Sequence, residues 1–274
     1  MWICPHCRQQ LRWSEDRRSL ACPEGHQFDR AREGYVNLLP ANRKRSKEPG
    51  DDRAMLAARR RALDAGFYQP LADGVEALLA QITGIERVVD LGCGEGFYTA
   101  AVAGAFPAAS VYGIDIAKEA VRLAAKRHEM IDFAVASAFD VPLAAGSIDL
   151  VTSIFAPVSA TELQRLTAVG GYYLKVVPGP QHLWSLRQAL YTNPRPHTAE
   201  PVSEQGFNTL DTRTFEYQVT LDGERLADLV AMTPFAHRGH REKRDALLAG
   251  PSITLEMAFE MAILQRTGDV QINR

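Results

Sequence analysis

The sequence contains no run of 18 apolar residues, so it predicts no membrane-spanning helix. Its first residues, Met1-Trp2-Ile3-Cys4, lack the basic and then apolar layout of a secretory signal, which predicts a cytoplasmic protein. Cysteine is scarce: there are four, three of them within the first 22 positions, a pattern unlike a disulfide scaffold. A large net charge is also missing, the formal total being −2, yet the balance is uneven along the chain. Residues 1–61 carry 14 Lys+Arg against 8 Asp+Glu, and the remainder carries 17 against 25. The clusters Arg43-Lys44-Arg45-Ser46-Lys47 and Arg59-Arg60-Arg61 suit a polyanionic partner, because cations placed on phosphates release counterions; a solvated basic linker suits them equally. With 274 residues, 46% of them hydrophobic, the chain can bury a sizeable core, as one large domain or a main domain with a small appendage.

The early cysteines stand as Cys4-Pro5-His6-Cys7 and Cys22-Pro23-Glu24-Gly25-His26, a C-x2-C pair and a C-x3-H pair fourteen residues apart. Two close ligand pairs joined by a short hairpin suit tetrahedral zinc. Cys4, Cys7, Cys22 and His26 would fill all four positions, leaving none for a reactive water, so one structural Zn2+ per chain is expected. His6 is the competing imidazole, but it lies inside the tight Cys4–Cys7 knuckle. About forty residues bury little core, so the metal would supply folding energy directly. Arg32 to Pro40 reads as the last strand of this module. Ala41 to Asp52 is polar, basic and contains Pro49-Gly50, which is linker composition. Helical spacing resumes at Met55, Leu56, Arg59 and Leu63, and a second helix follows Pro70. The expected organisation is a zinc module over 1–40, a basic linker and helix over 41–66, and a main domain over 67–274.

From Glu86 onward strand and helix patterns alternate, with strands at 86–91, 110–114, 131–136, 148–154 and 171–177 and helices at 96–106, 117–128 and 160–168. Such alternation implies an α/β fold, a Rossmann-like parallel sheet that binds ligands beyond the carboxyl ends of its strands. A strand pattern at 208–221, a helix over 222–232 and a strand around 253–264 would close the sheet with an antiparallel hairpin. The first strand ends in Asp90-Leu91-Gly92-Cys93-Gly94-Glu95-Gly96-Phe97, and the second closes on Asp115, 19 residues after Gly96. Gly92, Gly94 and Gly96 allow a tight turn and close approach of a ligand, and an acid at 115 can hold ribose hydroxyls. A dinucleotide fingerprint would need a third glycine at position 97, where bulky Phe97 stands. The glycine segment instead resembles the first motif of class I S-adenosylmethionine (SAM) methyltransferases, whose ligand has no phosphate.

Cys4/Cys7/Cys22/His26, the segment Arg32 to Pro40, Arg59-Arg60, Asp90 to Thr99, Pro178-Gly179-Pro180-Gln181-His182-Leu183 and Met232-Thr233-Pro234-Phe235 occur together and in this order. In that combination the chain resembles the 23S rRNA (guanine-N1)-methyltransferase family almost from end to end. The resemblance implies SAM-dependent methylation of N1 of a guanine in a hairpin loop of domain II, where two branches of the family modify neighbouring guanines. It implies a zinc-containing N-terminal module that recognises RNA, and a homodimer. Carried onto this sequence, it makes Cys4, Cys7, Cys22 and His26 the zinc ligands. It adds Tyr68, Tyr98, Thr99, Asp115 and His182 to the three glycines as SAM contacts.

SAM carries an activated methyl group, so transfer requires positioning more than acid catalysis, but neutral guanine N1 must lose a proton. The acid-or-amide, Pro, Pro, aromatic signature of amine methylation is absent from the fourth strand end, which reads Ile154-Phe155-Ala156-Pro157. Glu95, Asp64 and Asp140 are the unranked candidates for a general base, so the catalytic residue stays unassigned. Phe155 could stack on an extruded base or sit in the core. Two other readings remain open. A small-molecule methyltransferase with a zinc dimerisation module would act without RNA, and a non-enzymatic zinc adaptor would bind no SAM.

Overall fold

The structure is a computed structural model, and it describes residues 1–40, 53–198, 200–233 and 241–268. The zinc module is a three-stranded antiparallel meander of β1 (Arg12–Trp13), β2 (Ser19–Ala21) and β3 (Gln27–Asp29). The next strand, β4 (Val36–Asn37), corrects the reading of Arg32 to Pro40 as that module's last strand. It pairs in parallel with a strand 98 positions away, Val36 opposite Ala134 and Asn37 opposite Val135, and so forms one edge of the main sheet.

Among the described residues the main sheet has eight strands. Beyond β4 lie β5 (Arg87–Leu91), β6 (Ser110–Asp115), β7 (Asp132–Val135), β8 (Ile148–Ile154), β9 (Thr167–Pro178), β10 (Phe207–Leu221) and β11 (Ile253–Arg266), in the spatial order β10-β11-β9-β8-β5-β6-β7-β4. Strands β4 to β9 run parallel, and β11 runs antiparallel to both β9 and β10. Buried on both faces, the central strands need apolar side chains at successive positions, which is why Val88 to Leu91 break the usual alternation. Strand β9 starts four residues earlier than the expected 171 and takes over the end of the expected helix at 160–168, with a register shift against β8.

The helices are α1 (Arg53–Asp64), α2 (Gln69–Leu79), α3 (Phe97–Ala105), α4 (Lys118–Arg127), α5 (Ala160–Leu166), α6 (Trp184–Leu190), α7 (Gly223–Ala231) and α8 (Arg241–Leu248). Side chains alternate across β5, so Val88 joins one core layer while Val89 and Leu91 join the other. The first layer includes Leu71, Val75 and Leu78 of α2, Val121 of α4 and Leu226 of α7. The second layer places Leu163 and Leu166 of α5 beside Trp2, Leu11 and Leu20 of the zinc module. Trp2 meets Tyr112 edge-on at 5.2 Å, and Trp2 bridges to Leu143. The zinc module is therefore part of the covering of one sheet face. No helix among the described residues is long and apolar enough to cross a membrane.

Candidate cofactor cavity and metal site

In the N-terminal module, the metal-ligating atoms of Cys4, Cys7, Cys22 and His26 all lie within 4.8 Å of one another. Two turns present them: the Arg8 N–H bonds to the Cys4 carbonyl, and the Gly25 N–H to the Cys22 carbonyl. Arg8 and Gly25 both take positive φ, 62° and 83°, to close these knuckles. His6 stands outside the group, its ring stacked on Phe28 at 6.0 Å. Three thiolates and one imidazole converging on one point fit a four-coordinate Zn2+ with no open position.

A cavity of about 950 Å3 opens at the carboxyl ends of the parallel strands. Its floor is the loop after β5. The Gly92 and Cys93 N–H groups both donate to the Ile114 carbonyl, at 2.8 and 3.0 Å, which folds the loop back over β6. Gly92 has φ 79°, and a Cβ there would lie 2.3 Å from that of Ala156. Gly94 has φ 54°, and a Cβ there would meet nothing within 4 Å, so its backbone faces open space. Asp115 ties the loop down: its Oδ2 accepts from the Gly94 N–H at 2.9 Å and its Oδ1 from the Ala117 N–H at 2.8 Å. Beneath, buried Asp90 accepts from the Thr99 and Thr152 hydroxyls at 2.5 and 2.8 Å, and burial raises its pKa to about 6.

The expected SAM contacts divide into two groups. Tyr68, Gly92, Gly94, Tyr98, Asp115 and His182 line the cavity. Thr99 and Gly96 do not: Thr99 is fully buried on Asp90, and Gly96 begins α3 packed beneath His128, Ala124 and Phe133. Tyr98 places a buried hydroxyl in the wall with no hydrogen-bond partner among the described residues. Tyr68, Tyr98 and Phe259 surround Phe155 at ring distances of 5.5 to 6.4 Å. The His182 Nδ1 accepts from the Ala258 N–H at 3.3 Å, and burial lowers its pKa to about 3, so the ring is neutral and carries its proton on Nε2.

The residues present fit SAM. Asp115 offers a carboxylate to ribose hydroxyls, Gly94 leaves room for close approach, the orphan Tyr98 hydroxyl awaits a partner, and aromatic faces suit a sulfonium cation. Of the three acids considered as bases, Glu95 alone lines the cavity. It is 6% exposed, its Oε2 accepts from Arg60 Nε at 3.0 Å, and its buried Oε1 has no partner among the described residues. Asp64 instead pairs with Arg127 at 2.8 Å, and Asp140 with Arg8 at 2.9 Å.

Arg59-Arg60-Arg61, which suited a polyanionic partner and a solvated linker equally, makes contacts within the protein. Arg60 donates to Glu95, Arg61 donates to Asp228 of α7 through Nε and Nη2, and Arg59 lines the cavity. Arg43, Lys44, Arg45 and Lys47 lie outside the described residues. Sequence reasoning missed Arg187, Tyr191, Asn193, Arg195 and His197, which also line the cavity. They belong to α6 and the irregular segment after it, where no motif or periodicity marks them.

Strand order, glycine loop, Asp115 and metal cluster together define a class I SAM-dependent methyltransferase carrying an N-terminal zinc ribbon. Comparison with known families agrees. Residues 2–47 match a zinc-ribbon family described as "RlmA, N-terminal", and residues 88–174 match a methyltransferase domain family. The chain belongs to the 23S rRNA (guanine-N1)-methyltransferase family. It is 36% identical over 268 residues to the 23S rRNA (guanine(748)-N(1))-methyltransferase of Streptomyces fradiae, covering 93% of this chain and 94% of that protein. It is 34% identical over 277 residues to a Bacillus subtilis (strain 168) protein provisionally named a 23S rRNA (guanine-N(1)-)-methyltransferase, covering 96% of each.

Proposed function

We propose that this chain methylates N1 of a guanine in a hairpin loop of 23S rRNA domain II, as a cytoplasmic homodimer. The observation that carries the reading is that similarity to relatives named as 23S rRNA guanine-N1 methyltransferases runs through the zinc ribbon and the SAM cavity together. Bound SAM supplies an activated methyl group. The protein's part is to hold and exclude: Asp115 takes the ribose, Gly94 admits the ligand to the loop, and Tyr68, Tyr98 and His182 border the reacting end. The N1 proton has Glu95 as its acceptor inside the cavity, because Asp115 is engaged by two backbone N–H groups. Burial raises the Glu95 pKa while Arg60 opposes that rise, so the pair keeps a carboxylate of enhanced basicity. Cys4, Cys7, Cys22 and His26 would hold Zn2+ with no position left for a reactive water, and the bound metal would stabilise the ribbon that Trp2, Leu11 and Leu20 pack against the sheet. In the test, purified protein is incubated with a domain II hairpin transcript and labelled SAM, and the digested nucleosides are identified by mass spectrometry. 1-Methylguanosine is expected; label confined to another nucleoside, or to small molecules of an RNA-free extract, would overturn the reading. Light scattering tests the dimer.

A further inference from the structure

The cavity has chemically unlike ends. Its two carboxylates, Glu95 and Asp115, belong to the glycine-loop end, where Arg59 also lines the wall and, against the rise from burial, draws the Glu95 pKa down. The other end is built by α6 and residues 191–197, which bring Arg187, Arg195 and His197 to the wall near His182. Arg187 stands close enough to His182 and His197 to disfavour protonation of both rings. Burial first, and then Arg187, lowers the His197 pKa, and His182 is lowered by burial and then by His197 and Arg187. Glu200 pulls His197 the other way, but it is not part of the cavity wall. The charge of this end comes from the guanidinium groups of Arg187 and Arg195, and two such groups on one wall attract an anion.

The segment is fixed in place. Arg187 Nη1 donates to the Arg195 carbonyl at 3.0 Å, the His197 N–H to the Pro180 carbonyl at 3.1 Å, and Lys243 Nζ to Thr192 Oγ1 at 3.3 Å. Facing the same cavity, Phe155 is 40% exposed and held at φ 59°, its N–H bonded to the Val176 carbonyl at 3.0 Å. A bulky side chain in left-handed backbone is strained, and such strain persists where the surroundings impose it, often at binding sites. An exposed aromatic ring in the same cavity as two guanidinium groups matches a nucleotide, which offers a π-face and a phosphate.

We propose that Arg187, Arg195 and His197 bind a phosphate flanking the target guanosine and that Phe155 stacks on its base. This rests on the reading of RNA as substrate and assigns that substrate to one end of the cavity. The test uses full-length protein, a fluorescent domain II hairpin and S-adenosylhomocysteine. Arg195→Gln and His197→Asn are titrated with RNA between 50 and 200 mM KCl, and with S-adenosylhomocysteine by calorimetry. Arg195→Gln should weaken RNA binding several-fold and reduce the salt slope by about 0.7, the value for one single-strand phosphate. Phe155→Ala should weaken RNA binding at least five-fold without changing the slope. S-adenosylhomocysteine affinity should stay within two-fold for Arg195→Gln and His197→Asn, which also shows that these variants fold, and an unchanged thermal midpoint shows the same for Phe155→Ala. Weakened S-adenosylhomocysteine binding with unchanged RNA binding would overturn the proposal and give the cationic end to the carboxylate of the cofactor. Wild-type protein that binds S-adenosylhomocysteine but no RNA would overturn the substrate reading, and the subsite with it.

Discussion

Gly92 and Gly94 look alike in sequence, but the structure gives them different work, and Gly92→Ala and Gly94→Ala separate the two roles. Both residues have positive φ, so alanine at either costs about 1–2 kcal/mol from the backbone alone. At position 92 the new methyl would also sit 2.3 Å from the Ala156 Cβ, adding about 1–3 kcal/mol of overpacking. Gly92→Ala is expected to destabilise the protein by about 2–5 kcal/mol and Gly94→Ala by about 1–2. The order reverses for the ligand. A methyl at 94 projects where nothing lies within 4 Å, into space the cofactor needs, and should weaken S-adenosylhomocysteine binding at least ten-fold, about 1.4 kcal/mol. Urea denaturation measures the first pair of values and calorimetry the second. Ala156→Gly added to Gly92→Ala removes the clash and should return stability to near that of Gly94→Ala. Equal destabilisation by the two single variants, or no rescue by Ala156→Gly, would refute the reasoning.

Zinc removal, by Cys22→Ser or by chelation, should lower the thermal midpoint of the whole chain and weaken S-adenosylhomocysteine binding, because Trp2, Leu11 and Leu20 share a core layer with Val89, Leu91 and Ile114. A module that melts alone, leaving cofactor affinity unchanged, would contradict this. Asp115→Ala removes both the ribose acceptor and the tie to Gly94, so S-adenosylhomocysteine affinity should fall by about 1.5–3 kcal/mol, the scale for bonds to a charged group; calorimetry reads it directly. Asp90 should make stability depend on pH. Its folded pKa of about 6 exceeds the ordinary 3.8, so its contribution is full below 3.8 and is lost as pH rises through 6. Asp90→Asn should therefore gain on wild type between pH 4 and 7, by about 3 kcal/mol; a stability difference that stays flat across that range would exclude a buried acid titrating there.

The glycine loop and the zinc cluster were legible because their constraints are local. Glycines at alternate positions after a buried strand, or two ligand pairs around a short hairpin, fix their own geometry over a few residues. What stayed hidden depends on partners distant in the chain. Arg60 and Arg61 read as a basic surface, since nothing nearby shows that their acids lie 35 and 167 positions away. Val36 and Asn37 read as part of the zinc module because their strand partner is beyond any local period. Helix α8 escaped notice because none of its residues is buried, so it carries no apolar face to detect. Thr99 fits a hydroxyl at a ligand loop as well as it fits its actual place on Asp90, and only burial distinguishes the two. Segment 191–197 has neither period nor motif, yet it supplies one end of the cavity.

Methyl transfer to guanine N1 of 23S rRNA can be read by primer extension on rRNA from a strain lacking this protein. A methyl on N1 blocks the Watson–Crick edge and halts reverse transcriptase one nucleotide short of the modified base. In wild-type rRNA a single strong stop is expected in the domain II hairpin. It should vanish in the deletion strain, return with the wild-type gene, and stay absent when Asp115→Ala is supplied instead. A stop pattern that survives the deletion unchanged would contradict the assignment.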